Sequence, residues 1–155
     1  MKTLVAYFSA ERGTTKTAAE TICASIDGDL FEISPVEPYT AADINWRNPL
    51  SRCNREKIGK KDVALKNSVP SFEQYGRVFV GFPIWYYCAP NIINSFCKAY
   101  DWEGKELVLF ATSGGSDVGK TAEKLSPYIK GAKLLDCRLL NGMSEEEIKS
   151  WAQSV

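Results

Sequence analysis

Three segments of the chain concentrate side chains suited to holding a small ligand, and each follows a run of apolar residues. The first is Ser9-Ala10-Glu11-Arg12-Gly13-Thr14-Thr15-Lys16-Thr17, rich in hydroxyls, with one glycine, and leading into a helical pattern. Such a turn aims backbone N–H groups and hydroxyls at one point, and the helix dipole adds partial positive charge there, which suits a phosphate. An ordinary strand-to-helix turn with Thr as N-cap fits the same residues. The second segment, Pro83-Ile84-Trp85-Tyr86-Tyr87-Cys88-Ala89-Pro90, holds three consecutive aromatic side chains between prolines. Large rings on a rigid loop make a platform for a flat aromatic ligand; rings folded back onto a core would use the same residues. Cys88 stands beside them with only Lys or Arg in the chain to activate it.

The third segment, Thr112-Ser113-Gly114-Gly115-Ser116-Asp117-Val118-Gly119-Lys120-Thr121, has two incompatible readings. Gly114 to Thr121 matches the phosphate-loop pattern G-x-x-x-x-G-K-[ST] between an expected strand and an expected helix, which makes an ATPase or GTPase a candidate. Against that, little chain follows Thr121 to supply a metal-binding Asp and switch elements, and Asp136 follows too short an apolar run to serve. The other reading is a glycine turn whose Thr, Ser and backbone groups hydrogen-bond the edge of a ring system. Asp117 is then a helix N-cap or a contact to the ligand's sugar-alcohol chain.

The elements that must position these segments are legible as apolar runs. Thr3 to Phe8, Arg77 to Phe82, Glu106 to Ala111 and Lys133 to Leu140 read as strands, with a weaker fifth at Asp29 to Ile33. The strongest are nearly continuous in Val, Leu and Phe, as expected for parallel strands covered on both faces. Between them, from Thr14 to Ile26, Ala18, Ala19, Ile22, Cys23 and Ile26 fall on one helical stripe, and Ile92, Ile93, Phe96, Cys97 and Tyr100 repeat the spacing after Pro90. A third helix is expected to open near Asp117, with Val118, Ala122, Leu125 and Ile129 inward. A last one opens near Ser144, where Ser144 and Glu147 have capping-box spacing. The alternation predicts an α/β doubly wound sheet with right-handed crossovers. Residues 35–75 break it with Pro35, Pro38, Pro70 and a basic cluster, and read as a long excursion with some short helix, either a solvated loop or a lid over the site.

Composition narrows the function classes. The 155 residues are sized for one domain, 1–155, and 45% of them are apolar. Nineteen basic residues balance nineteen acidic ones, so no global field draws the chain towards nucleic acid or an anionic membrane. No apolar run is long enough to span a bilayer. Five widely spaced cysteines with no C-x-x-C pair argue against a disulfide framework or a zinc site and for a reducing, cytoplasmic setting. The absence of histidine removes Ser-His and Cys-His nucleophile activation and imidazole metal ligation. Chemistry here is expected to be carried by a cofactor.

The three segments, in this order and at these strand ends, resemble the flavodoxin family over essentially the whole chain. The residues that carry the resemblance are Tyr7-Phe8-Ser9 with Gly13-Thr14-Thr15-Lys16, then Gly81-Phe82-Pro83-Ile84-Trp85-Tyr86, then Thr112-Ser113-Gly114-Gly115-Ser116. The resemblance implies a flavodoxin-like five-stranded parallel sheet in the order 2-1-3-4-5, noncovalently bound FMN, and one- or two-electron transfer to a redox partner protein or a small-molecule acceptor. By the same resemblance Ser9, Gly13, Thr14 and Thr15 hold the FMN phosphate, and Arg12, which departs from the family pattern, is expected to add a charged contact to it. Pro83, Ile84, Trp85 and Tyr86 line one side of the isoalloxazine, and Thr112, Ser113, Gly114, Gly115 and Asp117 meet its pyrimidine edge and the ribityl chain. Two features depart from the family pattern. The phosphate turn is one residue longer than S-x-T-G-x-T, with Arg12 where a Thr is common. The chain is also electrically balanced where carrier flavodoxins are strongly acidic, which moves the expectation towards an NAD(P)H-dependent flavin or quinone reductase.

Overall fold

The computed structural model describes residues 2–9, 13–45, 47–59, 61–85, 88–113 and 118–155. Five strands, β1 (Lys2–Tyr7), β2 (Asp29–Glu32), β3 (Tyr75–Pro83), β4 (Glu106–Thr112) and β5 (Lys133–Leu139), pair in parallel in the order β2-β1-β3-β4-β5. Side-chain alternation assigns each strand's residues to two faces. Val5, Tyr7, Phe79, Val108 and Phe110 face a layer containing α1 (Thr14–Ile26) and α5 (Glu145–Ser154), through Ala18, Ala19, Ile22, Ile148 and Trp151. Leu4, Ala6, Val78, Val80, Leu107 and Leu109 face the opposite layer, where α3 (Asn91–Lys98) supplies Ile92, Ile93 and Phe96, and the short α4 (Thr121–Leu125) supplies Leu125. Burial on both faces explains why the central strands read as unbroken apolar runs.

Gly81 has a packing reason to be glycine. It pairs with Tyr7 on one side and Phe110 on the other, in the row facing α1 and α5. A Cβ built there would lie 2.1 Å from the Phe110 ring, which occupies the space a side chain would need. The expected capping box is present: Ser144 Oγ accepts from the Glu147 N–H at 3.2 Å, and Glu147 Oε1 accepts from the Ser144 N–H at 3.0 Å.

Two expectations change in detail. The third helix is shorter than its apolar spacing predicts, running Thr121–Leu125 and then tightening into a 3₁₀ turn, Ser126–Tyr128. Pro127 lacks the N–H that would continue the α-helical ladder and clashes with the preceding turn; Ile129 is buried all the same. The excursion contains a helix without an apolar period, α2 (Arg52–Gly59). Its inward residues include Cys53 and Asn54, and the Asn54 amide donates to the Asn48 carbonyl at 2.7 Å, so it packs partly through polar contacts. The excursion also places Val63, Val69 and Phe72 in the core beneath α3. It folds back on itself through an antiparallel bridge between Pro35 and Leu65, and is thus a packed part of the fold.

Candidate functional site

The carboxyl ends of β1, β3 and β4 lie side by side, and all three segments leave the sheet there. Backbone bonds continue the register past the strands: Phe8 N–H donates to Gly81 O at 2.9 Å and Ile84 N–H to Thr112 O at 2.8 Å. In an open parallel sheet this is where ligands bind, at the point where the connections diverge.

At the first segment, Gly13 takes φ +70°, a left-handed conformation that suits glycine, and serves as N-cap of α1 without a side-chain cap bond. Thr17 N–H donates to Gly13 O at 3.0 Å and Lys16 N–H to Ser9 Oγ at 3.3 Å. The N–H groups of Thr14 and Thr15 point out of the first turn, where helix geometry gives them no partner inside the helix. Thr14 is exposed, whereas Thr15 is buried, with its hydroxyl 2.8 Å from the hydroxyl of Thr112. That bond joins the first segment directly to the third. Arg12 lies outside the described residues.

The second segment is a tight turn. Trp85 and Cys88 form an antiparallel bridge, with Trp85 N–H donating to Cys88 O at 2.9 Å and Cys88 N–H to Trp85 O at 3.2 Å. Tyr86 lies outside the described residues. Pro83 ends β3, Ile84 is buried, and Trp85 is half-buried with its indole edge-on to Phe8, ring centroids 5.7 Å apart. Lys57 Nζ donates to Cys88 Sγ at 2.7 Å, fastening α2 to the turn.

At the third segment, Thr112 is buried at the end of β4 and Ser113 is half-buried. Gly114, Gly115 and Asp117 lie outside the described residues. Thr121 is completely buried and its hydroxyl donates to the Val118 carbonyl, so the group that a nucleotide phosphate loop would offer to a metal ion is turned into the protein. With only five residues in α4, the hydrolase reading gains no support.

Side chains outside these three segments also shape the site. Asn141 reaches from the turn after β5 and clamps the backbone of Ser113: its Oδ1 accepts from Ser113 N–H at 2.9 Å, and its Nδ2 donates to Ser113 O. An Asn-Gly pair after the last apolar run signals a turn but says nothing of this contact. Tyr39 joins Phe8 and Trp85, at 5.5 Å and 5.3 Å between ring centroids. Its hydroxyl donates to Glu56, and burial first, then that carboxylate, pushes the phenol well above its usual range, so it stays a donor.

Across residues 2–155 the sequence matches the family model described as Flavodoxin. A search among curated proteins finds no match. Among solved structures, a candidate flavoprotein from Bacteroides eggerthii DSM 20697 superposes with a TM-score of 0.90 at 42% identity, covering 99% of this chain and 97% of that one. A second, from Bacteroides uniformis ATCC 8492, gives 0.91 at 42% identity, covering 98% and 97%. A flavoprotein in complex with FMN from Lactobacillus acidophilus NCFM shares the fold, with a TM-score of 0.70 at 24% identity over 97% of this chain and 98% of that one. With its five parallel strands in the order 2-1-3-4-5 and a family match that spans nearly its full length, this chain belongs to the flavodoxin family.

Proposed function

We propose that the chain is a redox protein that binds FMN noncovalently at the carboxyl ends of β1, β3 and β4 and passes electrons through it. The observation that carries this reading is the junction of the three segments: Thr15 bonded to Thr112, and Trp85 set beside Phe8 at the same rim. The donor set fits the cofactor's parts. Hydroxyls and first-turn N–H groups of α1 suit a phosphate, an indole on a rigid turn suits a flat ring, and Ser113, held by Asn141, offers polar groups to the ring's edge. The solved FMN complex with the same fold is consistent with that fit.

Bound FMN would supply the electron transfer itself. The protein's contribution is to anchor, orient and exclude water. Thr14 and the α1 N-terminus hold the phosphate, Trp85 makes one side of the ring environment apolar, and such a wall disfavours added negative charge and lowers the reduction potential. Arg12 contributes a charged phosphate contact. We assign no side chain as a dedicated acid or base. The balanced charge, nineteen against nineteen, favours a reductase served by NADH or NADPH over a carrier that docks on a basic partner protein; bleaching of the flavin by either nucleotide without a partner protein separates the two. The free cysteines fit a reducing cytoplasm.

Thr14→Ala tests the phosphate placement. The exposed hydroxyl is expected to contribute to FMN but not to riboflavin, so FMN affinity falls about tenfold while riboflavin affinity stays within about twofold. Equal losses for the two ligands would remove Thr14 from the phosphate site.

A further inference from the structure

Residues 35–75 bring to the site a side chain whose surroundings exceed what core packing requires. The rings of Phe8, Tyr39 and Trp85 form a closed set of three, each pair edge-on, with interplanar angles of 65°, 76° and 89°. The Trp85 indole is thus held by two neighbours. Phe8 directly follows β1 and is fixed by its backbone bond to Gly81, whereas Tyr39 comes from the excursion and needs its own support.

That support is polar and largely shielded from water. The Arg52 guanidinium lies 3.9 Å from the centroid of the Tyr39 ring. Arg52 Nε donates to Glu56 Oε2 at 3.1 Å, Tyr39 donates to Glu56 Oε1, and both charged side chains are only 14% exposed. Arg52 also donates to the carbonyls of Glu37 at 2.7 Å and Pro38 at 3.3 Å, which fastens the backbone leading into Tyr39. The frame closes through Asn91, the first residue of α3, whose amide donates to Glu56 O at 2.7 Å just beyond the aromatic turn. Apolar residues could fill this space without the cost of desolvating an ion pair. A stacked arginine, tied by Nε to Glu56 and by a terminal nitrogen to the Glu37 and Pro38 carbonyls, instead fixes one orientation of the ring beneath it.

We propose that Tyr39, braced by Arg52 and Glu56, is a positioning residue of the cofactor site that fixes the indole of Trp85 for contact with the flavin. The proposal rests on the FMN reading above. Because Glu56 and, at 3.9 Å, Asp43 balance the charge of Arg52, the brace supplies geometry more than field.

The full chain labelled with 5-fluorotryptophan contains four tryptophans, and a Trp85→Phe variant assigns the Trp85 fluorine resonance. In Tyr39→Ala that resonance is expected to shift and broaden in the cofactor-free protein while those of Trp102 and Trp151 hold still. FMN affinity is expected to fall about tenfold, with a matching change in the bound flavin's visible spectrum. Tyr39→Phe keeps the ring and is expected to restore the resonance and bring affinity within about twofold of the parent. Arg52→Met, which keeps Tyr39, is the second variant should Tyr39→Ala fail to fold, and is expected to disturb the Trp85 resonance in the same direction. An unmoved Trp85 resonance in either variant, or Tyr39→Phe behaving like Tyr39→Ala, would overturn the proposal. Failure of the parent protein to bind FMN would instead overturn the cofactor reading, and the fluorine signal of the cofactor-free protein would still decide whether Tyr39 positions Trp85.

Discussion

Gly81→Ala is expected to destabilise the fold by about 3 kcal/mol, a large share of the roughly 5–15 kcal/mol that holds a domain together. The new methyl would lie 2.1 Å from two carbons of the Phe110 ring, in the middle of the sheet. Phe110 is fully buried, and its neighbours across the sheet and in α1 and α5 leave the ring little room to withdraw. Relief therefore requires β3 and β4 to shift, and β3 sits between β1 and β4. The measurement is the urea unfolding midpoint of the cofactor-free protein. Gly81→Ala combined with Phe110→Leu is expected to recover part of the loss, because the smaller side chain frees the contested space. An unchanged midpoint in the single variant would show that the row Tyr7, Gly81, Phe110 is looser than these contacts imply.

Trp85→Ala is expected to weaken FMN binding about thirtyfold, the equivalent of about 2 kcal/mol of stacking and apolar contact, while moving the urea midpoint far less than Gly81→Ala. The contrast follows from position. Gly81 lies inside the sheet, whereas Trp85 is half-buried beyond the end of β3, resting on Phe8 and Tyr39. Removing the indole also admits water to the ring's apolar side, where negative charge is then better solvated, so the midpoint potential of bound FMN is expected to rise. Trp85→Phe, with a smaller ring on the same platform, is expected to fall between. Unchanged affinity and potential in Trp85→Ala would take the aromatic turn out of the site.

Much of the architecture was legible because the strongest signals were unambiguous. β1, β3 and β4 read as strands since burial on both faces leaves no polar residue to interrupt them. α1 was legible to the residue, Thr14–Ile26, and Ser144 with Glu147 gave α5 its start. Parallel pairing followed from unbroken apolar runs alternating with helices, whereas strand order came with the family resemblance, since apolar runs alone do not order strands. The short helix expected in the excursion could not be placed, because α2 packs through Asn54, Arg52 and Glu56 and has no apolar stripe to find. The end of α4 was misjudged because apolar spacing continues through Pro127 although the hydrogen-bond ladder cannot.

The candidate site divides in the same way. Hydroxyls, glycines and rings at strand ends are local signals, so Thr14, Thr15, Trp85 and Thr112 could be singled out by type and place. Tyr39 and Asn141 act through contacts distant in sequence: Asn141 meets Ser113 across 28 positions, and no local pattern encodes that meeting. Burial of the Thr15 hydroxyl against Thr112 was equally hidden, since a Thr in the first turn of a helix reads alike whether it faces a ligand or the next strand.

Whether the strand-end segments hold FMN is decided by adding FMN to the purified protein while following flavin fluorescence. Quenching is expected to saturate at one FMN per chain, with the visible bands of the flavin perturbed by Trp85. Fluorescence that stays that of free FMN at every protein concentration would contradict the FMN reading, and would leave a flavodoxin-family fold whose strand-end segments hold something other than this cofactor.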